Sequence, residues 1–252
     1  MRKLLFTALA LGALAMPAMA ADLAPYYKVP YAPAWSWTGF YFGGDVGGAF
    51  SEDNATWTLP GVPVAPISGG TGGSAFAGGF FAGYNWQFSP SFVAGIEGDW
   101  TGMRAGGAFT EPWTAGGITV PGSSTSMSSE VEWALSLRGR LGYLIWPNLL
   151  VYGTGGGAWG KIQYGASALF TGGPYASGVA YDNTASGWVA GGGLEWAPFT
   201  GFGLLLRVEY LYYDFSSGQN TLSTGIPAAL PSSFSWSPTT VSVARFGMSY
   251  KF

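Results

Sequence analysis

The last eleven residues, Ser242-Val243-Ala244-Arg245-Phe246-Gly247-Met248-Ser249-Tyr250-Lys251-Phe252, restrict the fold more than any other stretch of the chain. Ala244, Phe246, Met248, Tyr250 and Phe252 fall on one parity, and Arg245, Gly247, Ser249 and Lys251 on the other. A period of two is a strand with one apolar and one polar face. Aromatics on one side and cations on the other make a poor edge for a sheet in water. They suit a closed barrel with lipid outside and polar groups inside.

Composition points the same way. Charged residues are 9% of the 252, against about 25% in soluble domains, while aromatics reach 17% and glycines number 42. A soluble protein with so few charges would be sticky. A barrel that turns its apolar side to lipid would not be, and its strands score only weakly as hydrophobic segments. There is no Cys, so disulfide and thiol chemistry are excluded, and no His, which removes the commonest general base and metal ligand.

The N-terminus reads as an export signal. Arg2 and Lys3 precede an apolar run, Leu4 to Ala15, and Ala18-Met19-Ala20 is a small-x-small site that places cleavage between Ala20 and Ala21. The run is too short for a membrane-spanning helix, which needs about 20 apolar residues. We therefore expect a signal peptide over 1–20, a Pro/Tyr-rich periplasmic leader over 21–36, and a barrel over 37–252.

Eight strand-like segments follow the leader, approximately Trp37–Phe50, Phe76–Phe88, Phe92–Met103, Ser129–Tyr143, Leu149–Tyr164, Ser186–Ala197, Leu204–Phe215 and Thr239–Phe252. Each is long enough for a tilted bilayer crossing of about 9–11 residues. Short connections alternate with long ones, near 51–75, 104–128, 165–185 and 216–238, that are rich in Gly, Ser, Thr and Pro. The expected fold is all-β: an eight-stranded antiparallel up-and-down transmembrane β-barrel with four long extracellular loops, short periplasmic turns and both termini in the periplasm. A secreted sandwich has no reason to alternate its connections so regularly.

The polar parity assigns a charge network to the lumen: Asp45, Glu97, Asp99, Glu132, Glu195 and Glu209 with Arg138, Arg140, Lys161, Arg207, Arg245 and Lys251. Balanced charge favours mutual pairing over an ion-selective pore, which carries rings of one sign. If 144 and 149 flank the turn Ile145-Trp146-Pro147-Asn148, Glu132 faces Lys161; across Ser89–Ser91, Glu97 faces Gly83. Closure of the last strand on the first brings Arg245 near Asp45 and Glu209, and Glu97 and Arg138 come to similar depth. Eight strands leave room only for side chains, so the network is expected to fill the lumen. On the outside, Tyr84, Trp86, Tyr143, Trp146, Trp196, Tyr250 and Phe252 form an aromatic girdle near the short turns, where amphipathic rings favour a membrane interface.

Several of these stretches resemble a known family. They are Ala18-Met19-Ala20 with Ala21-Asp22-Leu23, Trp37-Thr38-Gly39-Phe40-Tyr41-Phe42-Gly43-Gly44, Gly83-Tyr84-Asn85-Trp86-Gln87, Gly95-Ile96-Glu97-Gly98-Asp99, Glu209-Tyr210-Leu211-Tyr212-Tyr213-Asp214 and Tyr250-Lys251-Phe252. Together they are similar to the alphaproteobacterial outer membrane immunogenic protein, or porin-like outer-membrane β-barrel, family of small OmpA-like barrels. The resemblance implies location in the outer membrane of a Gram-negative bacterium with antigenic surface loops. It also implies that the terminal aromatic, Phe252, is the signal read by the barrel-assembly machinery. It implies no single agreed activity.

The reading for function is a non-catalytic envelope barrel that supports the membrane and displays its loops, in contact with outer-membrane lipid and lipopolysaccharide. A monomer is expected. A narrow porin for small solutes is the alternative, and a lipid-modifying enzyme a remote one, since a hydrolase of that kind usually needs a Ser–His–acid set. No catalytic, metal or cofactor-binding residues are assigned. Gly155-Gly156-Gly157-Ala158-Trp159-Gly160 matches a dinucleotide-binding pattern, but it lies inside a strand with no helix after it. Asn54-Ala55-Thr56 matches a glycosylation sequon that matters only where such a pathway operates. With no basic patch, nucleic acid is not an expected partner.

Overall fold

A computed structural model describes residues 35–61, 63–171, 175–215, 221–225 and 231–252. The signal segment and the leader up to residue 34 therefore lie outside the described residues. The strands, in chain order, are β1 (Gly39–Glu52), β2 (Asn54–Thr58), β3 (Ile67–Gly70), β4 (Gly73–Gln87), β5 (Phe92–Ala115), β6 (Ile118–Trp146), β7 (Leu149–Phe170), β8 (Tyr175–Phe199), β9 (Leu204–Phe215), β10 (Thr221–Gly225), β11 (Pro231–Trp236) and β12 (Thr239–Lys251).

Eight of them close a ring in the order β1-β12-β9-β8-β7-β6-β5-β4, every neighbour antiparallel. The eight segments expected from sequence are these eight strands. The seam joins the two chain-distant members, with Phe42 opposite Tyr250, Val46 opposite Phe246 and Gly47 opposite Arg245. Closure leaves the ring no free edge, as a barrel in an apolar medium requires.

The strict alternation of β12 is kept: Val243, Arg245 and Ser249 are buried, while Phe246, Met248 and Tyr250 are each at least half exposed. Leu135, Leu137, Leu141, Val208, Tyr210 and Ile96 also face outward. In these stretches the large apolar side chains are on the outside and the charges are inside.

The described parts of the long connections are mostly strand, which their Gly/Ser/Thr composition hid. β6 is 29 residues long, roughly 95 Å at about 3.3 Å per residue, several times a membrane crossing. β5 and β6 run on together to a two-residue turn, Gly116-Gly117, whose φ values of 57° and 82° are both positive. That is the type I′ geometry that matches strand twist and strains any residue with a Cβ. β2, β3, β10 and β11 form a second, four-stranded sheet from the first and last long connections.

One register differs from expectation. Leu144 pairs with Leu150, because an irregularity between Leu144 and Trp146 shortens the turn. This puts Trp133, not Glu132, opposite Lys161. A second irregularity between Val131 and Trp133 then reverses parity, so Val131 is fully buried although it shares the parity of the exposed Leu135. Across Ser89–Ser91 the register is the expected one, with Gly83 opposite Glu97.

The lumen is layered. At the short-turn end Trp37, Val93, Leu144, Leu150, Ala197 and Leu205 pack together. Trp37 precedes β1 rather than belonging to it; its indole N–H donates to the Pro147 carbonyl at 3.1 Å and it is fully buried. Charged residues fill the middle. Beyond them Trp57 of the second sheet stacks on Trp113 at 4.8 Å, and Trp236 packs on Tyr164 at 5.0 Å. Closure on this scale predicts that the folded protein survives mild detergent. Unheated and boiled samples are expected to migrate differently on electrophoresis, and identical mobility would contradict the closed ring.

Candidate functional site

Nine of the twelve charged residues assigned to the lumen meet there: Asp45, Glu97, Asp99, Arg138, Arg140, Glu195, Arg207, Glu209 and Arg245, each no more than 6% exposed. Period two puts each on the inner face of its strand, and the ring brings strands far apart in sequence into reach.

Arg138 on β6 contacts three carboxylates, Glu97 at 2.6 Å, Asp99 at 3.1 Å and Glu209 at 3.1 Å. Arg245 on β12 reaches Glu209 at 2.6 Å, Asp99 at 3.0 Å and Asp45 at 3.1 Å. Arg207 on β9 reaches Glu97 on β5 at 2.7 Å. Those two strands stand four apart on the ring whichever way it is counted, so this pair spans the full width of the lumen. Arg140 pairs with Glu195 and approaches Glu97 at 3.4 Å.

Hydroxyls and rings complete the layer. Tyr41 donates to Glu97 at 2.7 Å and accepts from Arg140 at 2.9 Å; Tyr152 donates to Glu209 at 2.9 Å. Ser136 and Thr101 donate to Asp99. The guanidinium of Arg140 lies 4.0 Å from the Tyr152 ring centre, and that of Arg207 lies 3.3 Å from the ring centre of Phe81. Carboxylates are thus shared among several donors, which offsets the cost of taking them out of water.

Glycines make room for these chains by having no side chain. A Cβ on Gly83 would sit 2.3 Å from the Tyr41 hydroxyl, and one on Gly247 would sit 3.0 Å from Cγ of Arg207.

Three lumen assignments need correction. Glu132 and Lys161 do pair, at 2.7 Å, but on the outer wall, with Asp182 also 3.0 Å from Lys161. The parity reversal at Val131–Trp133 turns Glu132 outward, and Lys161 lies between the buried Gly160 and Ile162. Lys251 faces inward at the short-turn mouth, outside the network, with its ammonium 4.9 Å from the Trp35 ring centre. The interior layer therefore holds five carboxylates and four guanidiniums among the described residues, not equal numbers.

The expected girdle residues lie on the outer face at the short-turn end, Trp86, Tyr143, Trp146, Trp196, Tyr250 and Phe252 exposed and Tyr84 packed on Phe40 at 4.7 Å. A second aromatic ring went unread in the sequence: Phe76, Trp100, Trp133, Trp159 and Trp188. On β8, Trp188 and Trp196 are eight residues apart, roughly 26 Å along the strand, which suits an apolar band about 25 Å tall. All outward-facing charges among the described residues, Glu52, Arg104, Glu111, Glu130, Glu132, Lys161, Asp182 and Asp214, lie level with this ring, as Lys161 opposite Trp133 and Asp214 opposite Trp188 do, or on its long-hairpin side. Tyr41 and Tyr152 were also missed, although Tyr41 shares the parity of Asp45 and alternation alone would have found it.

Removing one member strands its partners. Glu97→Gln, which leaves Arg138, Arg140 and Arg207 short of a charge, is expected to cost ~3–5 kcal/mol. It should be read as a lower urea midpoint for loss of the fast-migrating folded form. Glu132→Gln, on the partly exposed outer pair, is expected to leave that midpoint nearly unchanged.

Comparison with known proteins agrees with this architecture. The chain is 34% identical over 249 residues to the 31 kDa outer-membrane immunogenic protein of Brucella melitensis, covering 94% of this chain and 95% of that one. It is 29% identical over 201 residues to a 22 kDa outer membrane protein of Rhizobium leguminosarum, covering 79% and 74%. These relatives carry outer-membrane names and no catalytic ones. The solved structure of Neisserial surface protein A overlaps with a TM-score of 0.40 at 12% identity, over 85% and 98% of the two chains, too loose a match to assign anything by. The outer membrane protein beta-barrel domain family matches residues 6–252, nearly the whole chain, and the protein belongs to that family.

Proposed function

We propose that this outer-membrane barrel is a non-catalytic, non-conducting envelope protein, working as a monomer. It anchors a protruding β-structure at the cell surface and contributes to the cohesion of the membrane. The observation that carries this reading is the Arg207–Glu97 contact at 2.7 Å between opposite walls. It is reinforced by the Trp37 layer at one end and the Trp57–Trp113 layer at the other. A lumen crossed by direct ion pairs and stoppered by aromatics holds side chains where a pore would hold water.

In this reading the short-turn end faces the periplasm, with both termini. The long hairpins and the second sheet face outward, where outer-membrane lipid and lipopolysaccharide are their neighbours. Phe252, three-quarters exposed at the end of β12, is the feature offered to the barrel-assembly machinery. The distribution of outward charge supports this orientation, because among the described residues none of it lies on the short-turn side of the band.

The test is single-channel recording in planar bilayers. The purified protein is expected to give no reproducible conductance steps. Stable channels of uniform size would overturn the reading in favour of a narrow porin.

A further inference from the structure

We propose that the outer wall carries a binding site for a phosphorylated acyl lipid, with Arg104 as its headgroup ligand. A crevice of about 600 Å³ opens on the outside of β4, β5 and β6 at the second aromatic ring. Its floor is Gly102, which pairs with Gly78 on one side and Trp133 on the other. Phe76, Trp100 and Trp133 wall it. A Cβ on Gly102 would sit 2.9 Å from Cη2 of Trp100, so the glycine is what lets that indole lie across the strand.

The crevice sits at a boundary. Toward the short turns the neighbouring outer face is apolar, with Phe80, Ile96 and Leu137 all more than half exposed. Toward the long hairpins lie Arg104 and Glu132. An occupant must therefore be amphiphilic, its tail on the aromatic floor and its head at the charged rim.

Charge decides which head. Glu132 is held by Lys161 at 2.7 Å and accepts from Gln163 at 2.6 Å, so both of those outer charges are engaged. Arg104 is exposed, and none of the described residues gives it a hydrogen bond or ion pair. A guanidinium left open beside an apolar slot matches a phosphate ester, which it binds through two parallel N–H donors. Tryptophan at an interface adds a rigid surface for the first methylenes of the tail.

This site rests on the membrane-spanning reading above. The test uses the full-length protein in detergent with bisphosphorylated lipid A as probe, and retained lipid is read by native mass spectrometry. Wild type is expected to retain the probe about tenfold better than R104E does, the scale of a charged hydrogen bond. R104K is expected to recover much of that retention. Phosphatase-treated lipid A is expected to be held about as weakly by wild type as the intact lipid is by R104E. Equal retention by wild type and R104E, or of intact and phosphatase-treated lipid, overturns the site, as does displacement of the lipid by millimolar inorganic phosphate, which would make it a simple anion site. Should R104E not fold, the two lipids on wild type make the same comparison without a substitution. Heat-dependent migration is scored in parallel: its absence in wild type defeats the barrel reading, whereas its presence with equal retention defeats the lipid site alone.

Discussion

The backbone hydrogen-bond ring, closed where β1 meets β12, is the constraint on which everything else in this protein depends. In hydrocarbon there is no water to satisfy an open edge, so a sheet must either close or stay out. Closure fixes an inside and an outside for every residue of eight strands at once. A chain that obeys it has to place apolar side chains where a soluble protein would place charge. Phe246, Met248 and Val208 on the outside, and Arg138, Arg207 and Arg245 within, follow directly.

An interior of eight strands is narrow, and its filling is correspondingly demanding. Four guanidiniums and five carboxylates occupy one layer, cross-linked so that most members touch more than one partner. Such pairs are not in themselves a large source of stability, because desolvation cancels much of the attraction. Their effect is mutual dependence: each is tolerable only while the others are present. The same crowding explains why the facing positions are glycines, since Gly83 and Gly247 stand where Tyr41 and Arg207 need the space. Apolar layers above and below keep this charged slice out of contact with bulk water.

Much of this was legible in the chain. Alternation in β5, β6, β9 and β12 sorted Glu97, Asp99, Arg138, Arg140, Arg207, Glu209 and Arg245 to one face with no structural input, and turn length gave the Gly83–Glu97 register. The misplacement of Glu132 has a physical source. An irregularity shifts parity by one residue, and nothing local in Glu130-Val131-Glu132-Trp133 announces it. Glu132 was therefore sent inward; Lys161, on the unbroken β7, shares the parity of the exposed Trp159, and the two meet on the outer wall. The Gly/Ser/Thr stretches between 104 and 128 read as loop because small residues carry little periodic signal, yet they continue β5 and β6 almost to Gly116.

By itself, then, the sequence determined the class of solvent the ring strands face, the number of strands in the ring, and the face taken by the nine charged residues of the central layer, because period two is a local property of extended backbone. Which charge touches which was decided only by the tertiary structure. Arg207 and Glu97 lie far apart in the chain and on opposite walls, and their contact depends on the ring's diameter and stagger. Those are properties of the closed ring as a whole, held in no single strand.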